Sequence, residues 1–241
     1  MTLTPDEGLD LLKDDTIGAS QPYRTAQATV AARIRRAVLS GQLRPGSRLP
    51  QAALAENMKL STTPVREALR ELAGEGVLDL DPHRGVVVHQ CRAEELHEIY
   101  TLRMLLEPVA IAATIKSITA DELNAAERLL TRMEREKDVA EWTILNAEFH
   151  SVLAEASRQP ILMSILRKLR NISALYVAQS LRRQHDRLAA GNTEHRAILS
   201  ACKERNVAVA QEAELVHMRH SLEIGGEQFG YAPPARESAN V

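Results

Sequence analysis

Four side chains in the second half of the sequence have the types and spacing of a metal site. Asn146 and His150 stand four residues apart, so they share one face of a predicted helix. His195 and His217 lie on two later helical segments. Three imidazoles and an amide oxygen from three helices can ligate a transition metal inside a bundle. Three nitrogen ligands with open positions are typical of a catalytic or ligand-binding metal rather than a closed structural one.

Other interpretations of these residues, and of two further ones, stay open. Single histidines are most often surface or satisfied core residues, so the four side chains could be unrelated. His220 stands one turn from His217 and competes with it as a ligand. The other interpretation of His220 is a solvated side chain or an outer partner of the site. Arg103 is a further candidate for a binding residue. It precedes Glu107 by four residues, so the alternative is an ordinary ion pair along one helix.

A second constellation lies in the segment STTPVREALREL, residues 61–72. Three hydroxyl residues open it: Ser61, Thr62 and Thr63. Free N–H groups at a helix N-terminus suit a phosphate or a base edge. Arg66 and Arg70 share one face of this helix. Both arginines either reach a nucleic acid or pair with Glu67 and Glu71 on a solvated surface.

The elements around this segment predict a winged helix–turn–helix. The pattern predicts helices at residues 24–40, 51–57 and 61–73 and a β-hairpin at 77–88. That order places one helix in the major groove of DNA. Arg84 at the hairpin tip could reach the minor groove or a phosphate. Four further arginines are candidates for phosphate contacts: Arg35, Arg36, Arg44 and Arg48.

The rest of the chain has helical periodicity. Six helices are predicted, at about 94–117, 121–137, 139–156, 160–185, 192–204 and 207–228. Asp121, Pro160, Asn192 and Asn206 are the residues expected at four of the helix starts. The fold class is therefore mainly α: an N-terminal winged helix–turn–helix followed by a C-terminal six-helix bundle that is entirely helical.

Composition agrees with this division. Aromatic residues make up only 3% of the 241 residues, which disfavours a β-sandwich. Residues 24–90 carry ten Lys or Arg against six acids, within a chain of formal net charge −2. We expect disordered tails at 1–23 (acidic) and 230–241, a DNA-binding domain at 24–90 and a helical ligand-binding and dimerisation domain at 93–229. Two cysteines, no long apolar run and no basic leader predict a cytoplasmic protein without a membrane partner.

The N-terminal motifs closely resemble one family of bacterial regulators. The turn PGSRL, the helix ALAE, the run STTPVREAL and the wing RG match the DNA-binding domain of the GntR family over about 26–90. The resemblance implies that Thr63, Arg66, Arg84 and Gly85 contact DNA. Many relatives carry Arg where this chain has Thr62, so the usual operator of the family need not transfer.

The C-terminal half resembles the FCD effector domain of the FadR subfamily, with six helices as in its VanR-like group. The matching stretches are LHEIYTLRMLLEPVAIAA, the motif from Asn146 to His150, EHRAIL, and His217. Metal-binding members use an acid and three histidines, so the resemblance implies ligands at Asn146, His150, His195 and His217. It also places Arg103 at the effector cavity, where its planar fork can hold a carboxylate. Asn146 departs from the usual Asp, and an amide is a weaker, uncharged ligand.

The resemblance implies a metabolite-responsive transcriptional regulator and repressor, not an enzyme. We expect a homodimer that binds an inverted-repeat operator in double-stranded DNA, a small carboxylate effector, and a divalent metal, with zinc preferred over nickel or another transition metal. Three alternatives remain: a regulator that responds to the metal ion alone, a metal-dependent enzyme tethered to DNA, and a ligand-free regulator with a structural ion. No acid or base beside the histidine motifs supports the enzyme.

Overall fold

The computed structural model describes residues 25–182, 184 and 187–227. This part of the chain forms α1 (Ala26–Leu39), α2 (Gln51–Asn57), α3 (Thr62–Gly74), β1 (Leu78–Asp81), β2 (Gly85–Val88), α4 (Ala93–Ser117), α5 (Ala120–Met133), α6 (Val139–Glu155), α7 (Pro160–Leu181), α8 (Arg187–Lys203) and α9 (Val207–Glu227). The predicted mainly helical architecture with a two-stranded wing is confirmed. The tails expected at 1–23 and 230–241 lie outside the described residues. No helix in the described ranges is long and apolar enough to cross a membrane.

The N-terminal unit is built around one apolar face of α3. The predicted inward residues are all buried: Val65, Ala68, Leu69 and Leu72. They pack with α1 residues such as Val30 and Ile34. The wing strands are antiparallel, with Leu78 opposite Val88. Asp81 closes the hairpin by accepting the backbone N–H groups of Arg84 and His83, and these two bonds lower the pKa of its carboxyl.

The C-terminal unit is a bundle in which α9 packs against α4, α7 and α8. α6 lies between α5 and α7. Local signals account for several helix starts. Thr119 and Glu122 form a reciprocal capping box at α5, and Pro160 occupies the first turn of α7, where a missing N–H costs nothing. The bundle thereby brings the inner faces of α4, α6, α7, α8 and α9 together around the candidate site.

Three predicted helix boundaries in the bundle are wrong. α7 ends at Leu181, four residues before the predicted end. α8 begins at Arg187, so Asn192 does not start it. Asn192 is buried instead: its Oδ1 accepts from Trp142 Nε1 at 3.0 Å, and its Nδ2 donates to the Met133 carbonyl at 3.3 Å. α5 ends at Met133, four residues before the predicted end. Asn206 does act as a cap, since its Oδ1 accepts from the N–H of Val209 at 3.2 Å.

The two units contact each other through α1 on one side and α6 and α7 on the other. Arg36 on α1 donates to Glu141 on α6 at 2.8 Å. Arg182, just after α7, donates to the Leu39 carbonyl at 2.5 Å. Arg36, a candidate for phosphate contact on the sequence, is thus bonded to the bundle in this structure. Arg35 is likewise paired with Glu75 within the N-terminal unit.

Gly76 gives a sharp test of this interface. Its φ is +79°, and a Cβ there would lie 2.5 Å from Ile172 Cγ1 on α7. Gly76→Ala should therefore lower the free energy of unfolding by about 2 kcal/mol or more, from backbone strain and overpacking together. We expect the melting temperature to fall by roughly 4–8 °C. Gly85→Ala is the matched control, because its φ is +77° and nothing lies within 4 Å of its Cβ position, so that it carries the backbone strain without the overpacking. Equal melting temperatures for the two variants would contradict the described packing.

Candidate metal centre and DNA-binding surface

Three histidines converge from three helices at the centre of the bundle. His150 on α6, His195 on α8 and His217 on α9 are buried. One ring nitrogen from each lies within 4.8 Å of the others, and His150 Nε2 is 3.1 Å from His195 Nε2. Phe149 packs edge-on against the rings of His150 and His195. The structure thus brings the three predicted histidine ligands together.

Burial favours the neutral form of two of these imidazoles, those of His150 and His195. Burial, reinforced by His195 and His217, lowers the pKa of His150 well below its ordinary value. Burial, together with His217, does the same for the pKa of His195. A neutral imidazole offers a lone pair, which is the form that ligates a metal.

Asn146 supplies the test of whether the fourth predicted ligand fits. It lies one turn before His150 and lines the same cleft as His150 and His217. Its Oδ1 is buried and accepts no hydrogen bond from any residue that the structure describes. A buried polar atom without a partner is costly, and a metal is one way to satisfy it. The donor set of one amide oxygen and three imidazoles therefore fits a divalent transition metal.

Glu194 orients the third histidine and was missed by the sequence reasoning. Its Oε2 lies 2.7 Å from His217 Nδ1, and its Oε1 lies 2.6 Å from His220 Nδ1. Burial opposes ionisation of Glu194, but hydrogen bonds and charge from His217 and then His220 outweigh it and lower its pKa. A proton held on His217 Nδ1 leaves the Nε2 lone pair free. His220 is half exposed and lies outside the cluster.

A small cleft adjoins the histidines. His150 and His217 line it together with Asn146, Arg103 and Arg170. Further lining residues include Tyr100, Trp142, Ser173, Val177 and Ser221. The wall is thus part apolar and part cationic, which suits a small organic anion.

Arg103 faces this cleft but already has protein partners. Its Nε and Nη2 donate to Glu107 Oε1 at 3.2 Å, and its Nη1 donates to Ser173 Oγ at 2.8 Å. Arg170 also pairs with Glu107. Burial opposes ionisation of Glu107, but Arg170 and Arg103 outweigh it and hold the pKa of its carboxyl below the ordinary value. The helical ion pair and the cleft position, posed as alternatives by the sequence, are therefore both present.

Glu214 is a second carboxylate that the sequence reasoning missed. It is buried on α9, and its Oε1 lies 3.9 Å from His150 Nδ1. Burial, with the nearby Glu107 carboxylate, raises the pKa of Glu214. Its position three residues before His217 is the spacing of a shared helix face, and that signal could have pointed to it.

The candidate DNA-binding surface is open. The side chains at the N-terminal end of α3 are exposed: Ser61, Thr62, Thr63, Arg66 and Arg70. Among the described residues, Arg66 and Arg70 form no ion pair, so the predicted alternative of pairing with Glu67 and Glu71 is absent there. Glu71 instead accepts a hydrogen bond from Gln27 at 2.9 Å.

The wing tip is held close to the loop before α2. Arg84 donates to the Gly46 carbonyl at 2.6 Å, and its side chain stays exposed. Gly85 has a φ of +77°, which a residue with a side chain would adopt only under strain. Arg44 and Arg48 are exposed on the same loop. The structure therefore leaves Arg84, Arg44 and Arg48 accessible to a phosphate.

Comparisons with known proteins agree with both halves of the chain. The model of bacterial regulatory proteins, gntR family, matches residues 26–88, and the FCD domain model matches 98–220. The HTH-type regulator YdhC of Bacillus subtilis is 28% identical over 195 residues, which span 79% of this chain and 86% of YdhC. The Escherichia coli repressor GlaR is 25% identical over 78% of this chain and 90% of its own.

The solved structure of E. coli McbR/YncC superposes with a TM-score of 0.74, at 24% identity, over 86% of this chain and all of that one. Its N-terminal GntR domain and C-terminal FCD domain make this chain a DNA-binding transcriptional regulator of the GntR family.

Proposed function

We propose that this regulator is a metabolite-responsive repressor whose bundle binds a divalent metal, preferably zinc, and a small carboxylate. The observation that carries the proposal is the convergence of three buried histidines beside a cleft that also contains Arg103. The proposal that it represses transcription is supported by the similarity to GlaR, which is named a repressor. Such a regulator acts in the cytoplasm, where bacterial DNA lies.

The side chains have separate roles in this proposal. His150, His195 and His217 hold the ion with Asn146, while Glu194 keeps the His217 ring in the ligating tautomer. A bound divalent ion supplies Lewis-acid attraction for an anionic oxygen. Arg103 receives the other end of the effector. Its bonds to Glu107 and Ser173 use three of the five N–H groups of a guanidinium.

A thermal-shift screen tests this proposal. Purified protein is melted with and without zinc against small mono- and dicarboxylates, sugar acids and aromatic acids. Ligands that bind the native state raise the melting temperature by mass action. We expect a zinc-dependent response to one class of carboxylate, lost in His150→Ala and in Arg103→Ala. Arg167→Ala is the control, because Arg167 is an exposed arginine on α7 outside the cleft. A response that survives in both cleft variants would contradict the proposal.

A regulator that responds to the metal alone is the second candidate. The observation that favours it is the existing pairing of Arg103 with Glu107 and Ser173, which already satisfies part of its guanidinium. Stabilisation by zinc with no response to any carboxylate, together with zinc-dependent operator affinity, would select this candidate. The ligand-free regulator with a structural ion would show zinc stabilisation and unchanged operator affinity.

We propose that two copies of the chain read an inverted-repeat operator. Ser61, Thr62, Thr63, Arg66 and Arg70 enter the major groove, and Arg84 with Gly85 contacts the flanking backbone or minor groove. Support for a homodimer comes from apolar side chains exposed on α4 and α7: Leu102, Leu105, Val109, Ile161 and Ile165. Such residues are costly in water and are suited to a protein interface. Sedimentation of the purified protein at twice the chain mass of 26.7 kDa would support the dimer.

Arg66→Ala should weaken binding to an operator selected from random double-stranded DNA by about 5- to 150-fold, because one good arginine–base contact contributes about 1–3 kcal/mol. The measurement is a fluorescence-anisotropy titration at several salt concentrations. Arg167→Ala, which removes an exposed arginine of the bundle, is the matched control and should bind like the unchanged protein. Equal affinities for the two variants would remove Arg66 from the interface.

We propose that α7 carries the effector signal to the DNA-binding unit. Arg170 and Ser173 on α7 line the cleft, and Tyr176 lies on the same helix. The Tyr176 hydroxyl is 2.6 Å from Glu95 Oε2 and accepts the N–H of Arg92 in the linker. Glu95 Oε2 is in turn 2.9 Å from His89 Nε2, at the end of the wing. An effector that moves α7 would thereby change the placement of the wing, provided that it binds the two placements differently.

A further inference from the structure

Glu214 is an unusual residue for the interior of a helical bundle. Its side chain is only 3% exposed, and its Oε1 has no hydrogen-bond partner among the described residues. It borders a second cavity, lined also by Glu107, Thr114, His150 and Arg170. A buried carboxylate with an unsatisfied oxygen is costly, so its presence calls for a role that the fold alone does not give.

The four candidate ligands lack the negative charge that would compensate a divalent ion. Three imidazoles and one amide bring no negative charge to a divalent ion. A buried ion is tolerated only where opposite charge and hydrogen bonds compensate its desolvation. Glu107 does not compensate the charge of the ion, because Arg170 and Arg103 already pair with its carboxylate. Glu194 contributes at His217, which leaves the side of the cluster at His150 without a carboxylate of its own.

Glu214 lies on that side. Its Oε1 is 3.9 Å from His150 Nδ1, while His150 Nε2 faces His195. Glu194 lies in a comparable position beside His217, but at hydrogen-bond distance, with 2.7 Å between its Oε2 and His217 Nδ1, whereas Glu214 Oε1 makes no hydrogen bond with the described residues. Carboxylates that receive the outer N–H of a ligating histidine fix its ring and strengthen metal binding.

We propose that Glu214 is a positioning residue of the metal site, which receives the Nδ1–H of His150 and supplies the negative charge that the ligands lack. The inference rests on the proposed metal site. It assigns to Glu214 a role in metal affinity and not in contact with the effector, since Glu214 lines the second cavity and not the cleft.

The test is a zinc titration against a chromogenic chelator at one pH, with Glu214→Gln and the control Glu212→Gln. Glu212 is an exposed residue on the same helix, so Glu212→Gln makes the same chemical change at a position away from the metal site. We expect Glu214→Gln to weaken zinc binding about 10- to 100-fold, and Glu212→Gln to leave it unchanged. Zinc binding by Glu214→Gln at full affinity would overturn the inference and leave the metal site standing. No zinc binding by the unchanged protein would overturn both.

A second measurement separates positioning from a merely structural role. After chelator treatment, Glu214→Gln should melt at or above the temperature of the unchanged protein, because Gln keeps the shape of the side chain and removes the buried carboxyl whose Oε1 has no hydrogen-bond partner in the described part of the chain. Affinity for zinc and stability without zinc then move in opposite directions. A variant that melts lower without zinc and binds zinc normally once folded would show that Glu214 serves the fold alone.

Discussion

His217→Gln should abolish measurable zinc binding, with an affinity loss of more than about 100-fold. Removing a partner of a ligand typically costs 10- to 100-fold, and removing the ligand itself costs more. Gln keeps a polar side chain of similar length, so the buried position is not left as a cavity. The measurement is chelator competition with zinc, and the melting temperature of the variant after chelator treatment reports whether the bundle is intact.

His220→Gln is a closely matched control for this experiment. Both histidines stand on α9, and both bond the carboxylate of Glu194, at 2.7 Å for His217 and 2.6 Å for His220. Only His217 belongs to the cluster of three. We expect His220→Gln to bind zinc like the unchanged protein. The reverse result, in which His220→Gln loses the metal, would move the site to the surface of the bundle.

Local sequence signals predicted most of the helices because each depends on residues close together in the chain. The apolar spacing of Val65, Ala68, Leu69 and Leu72 predicts the buried face of α3, and the structure confirms it. The same type of signal failed at Asn192. Asparagine suits a helix start, but it also suits a buried link between helices, and its partner Trp142 is 50 residues away. Only packing distinguishes the two uses.

The candidate site likewise contains residues that the sequence predicts and contacts that only the packing of the helices reveals. Asn146 and His150 are linked by spacing within one helix, and the resemblance to the FCD domain adds His195 and His217. The contact between His217 and Glu194 joins residues 23 apart on two helices, so no local pattern predicts it. The partners of Arg36 likewise lie more than 100 residues away, and the sequence therefore left its guanidinium as a candidate for phosphate.

Asn146→Asp should change the affinities for metal and effector in opposite directions. A carboxylate is a stronger ligand than an amide and brings a negative charge, so zinc should bind about tenfold tighter or more. The loaded site then has a net charge of +1 instead of +2, counting only the ion and its ligands. An anionic effector near that site is attracted less, and we expect weaker binding of any carboxylate found in the screen.

Asp and Asn have nearly the same shape, so this substitution changes charge while it keeps the oxygen in place. The measurements are a zinc titration, followed by calorimetric titration of the carboxylate into zinc-loaded protein. Asn206→Asp is the matched control, because Asn206 is exposed and caps α9, a role that Asp performs equally well. Tighter binding of both zinc and carboxylate in Asn146→Asp would show that the charge of the loaded site does not govern the effector. Unchanged zinc affinity would show that Asn146 is not a ligand, and the three histidines would then hold the ion without it.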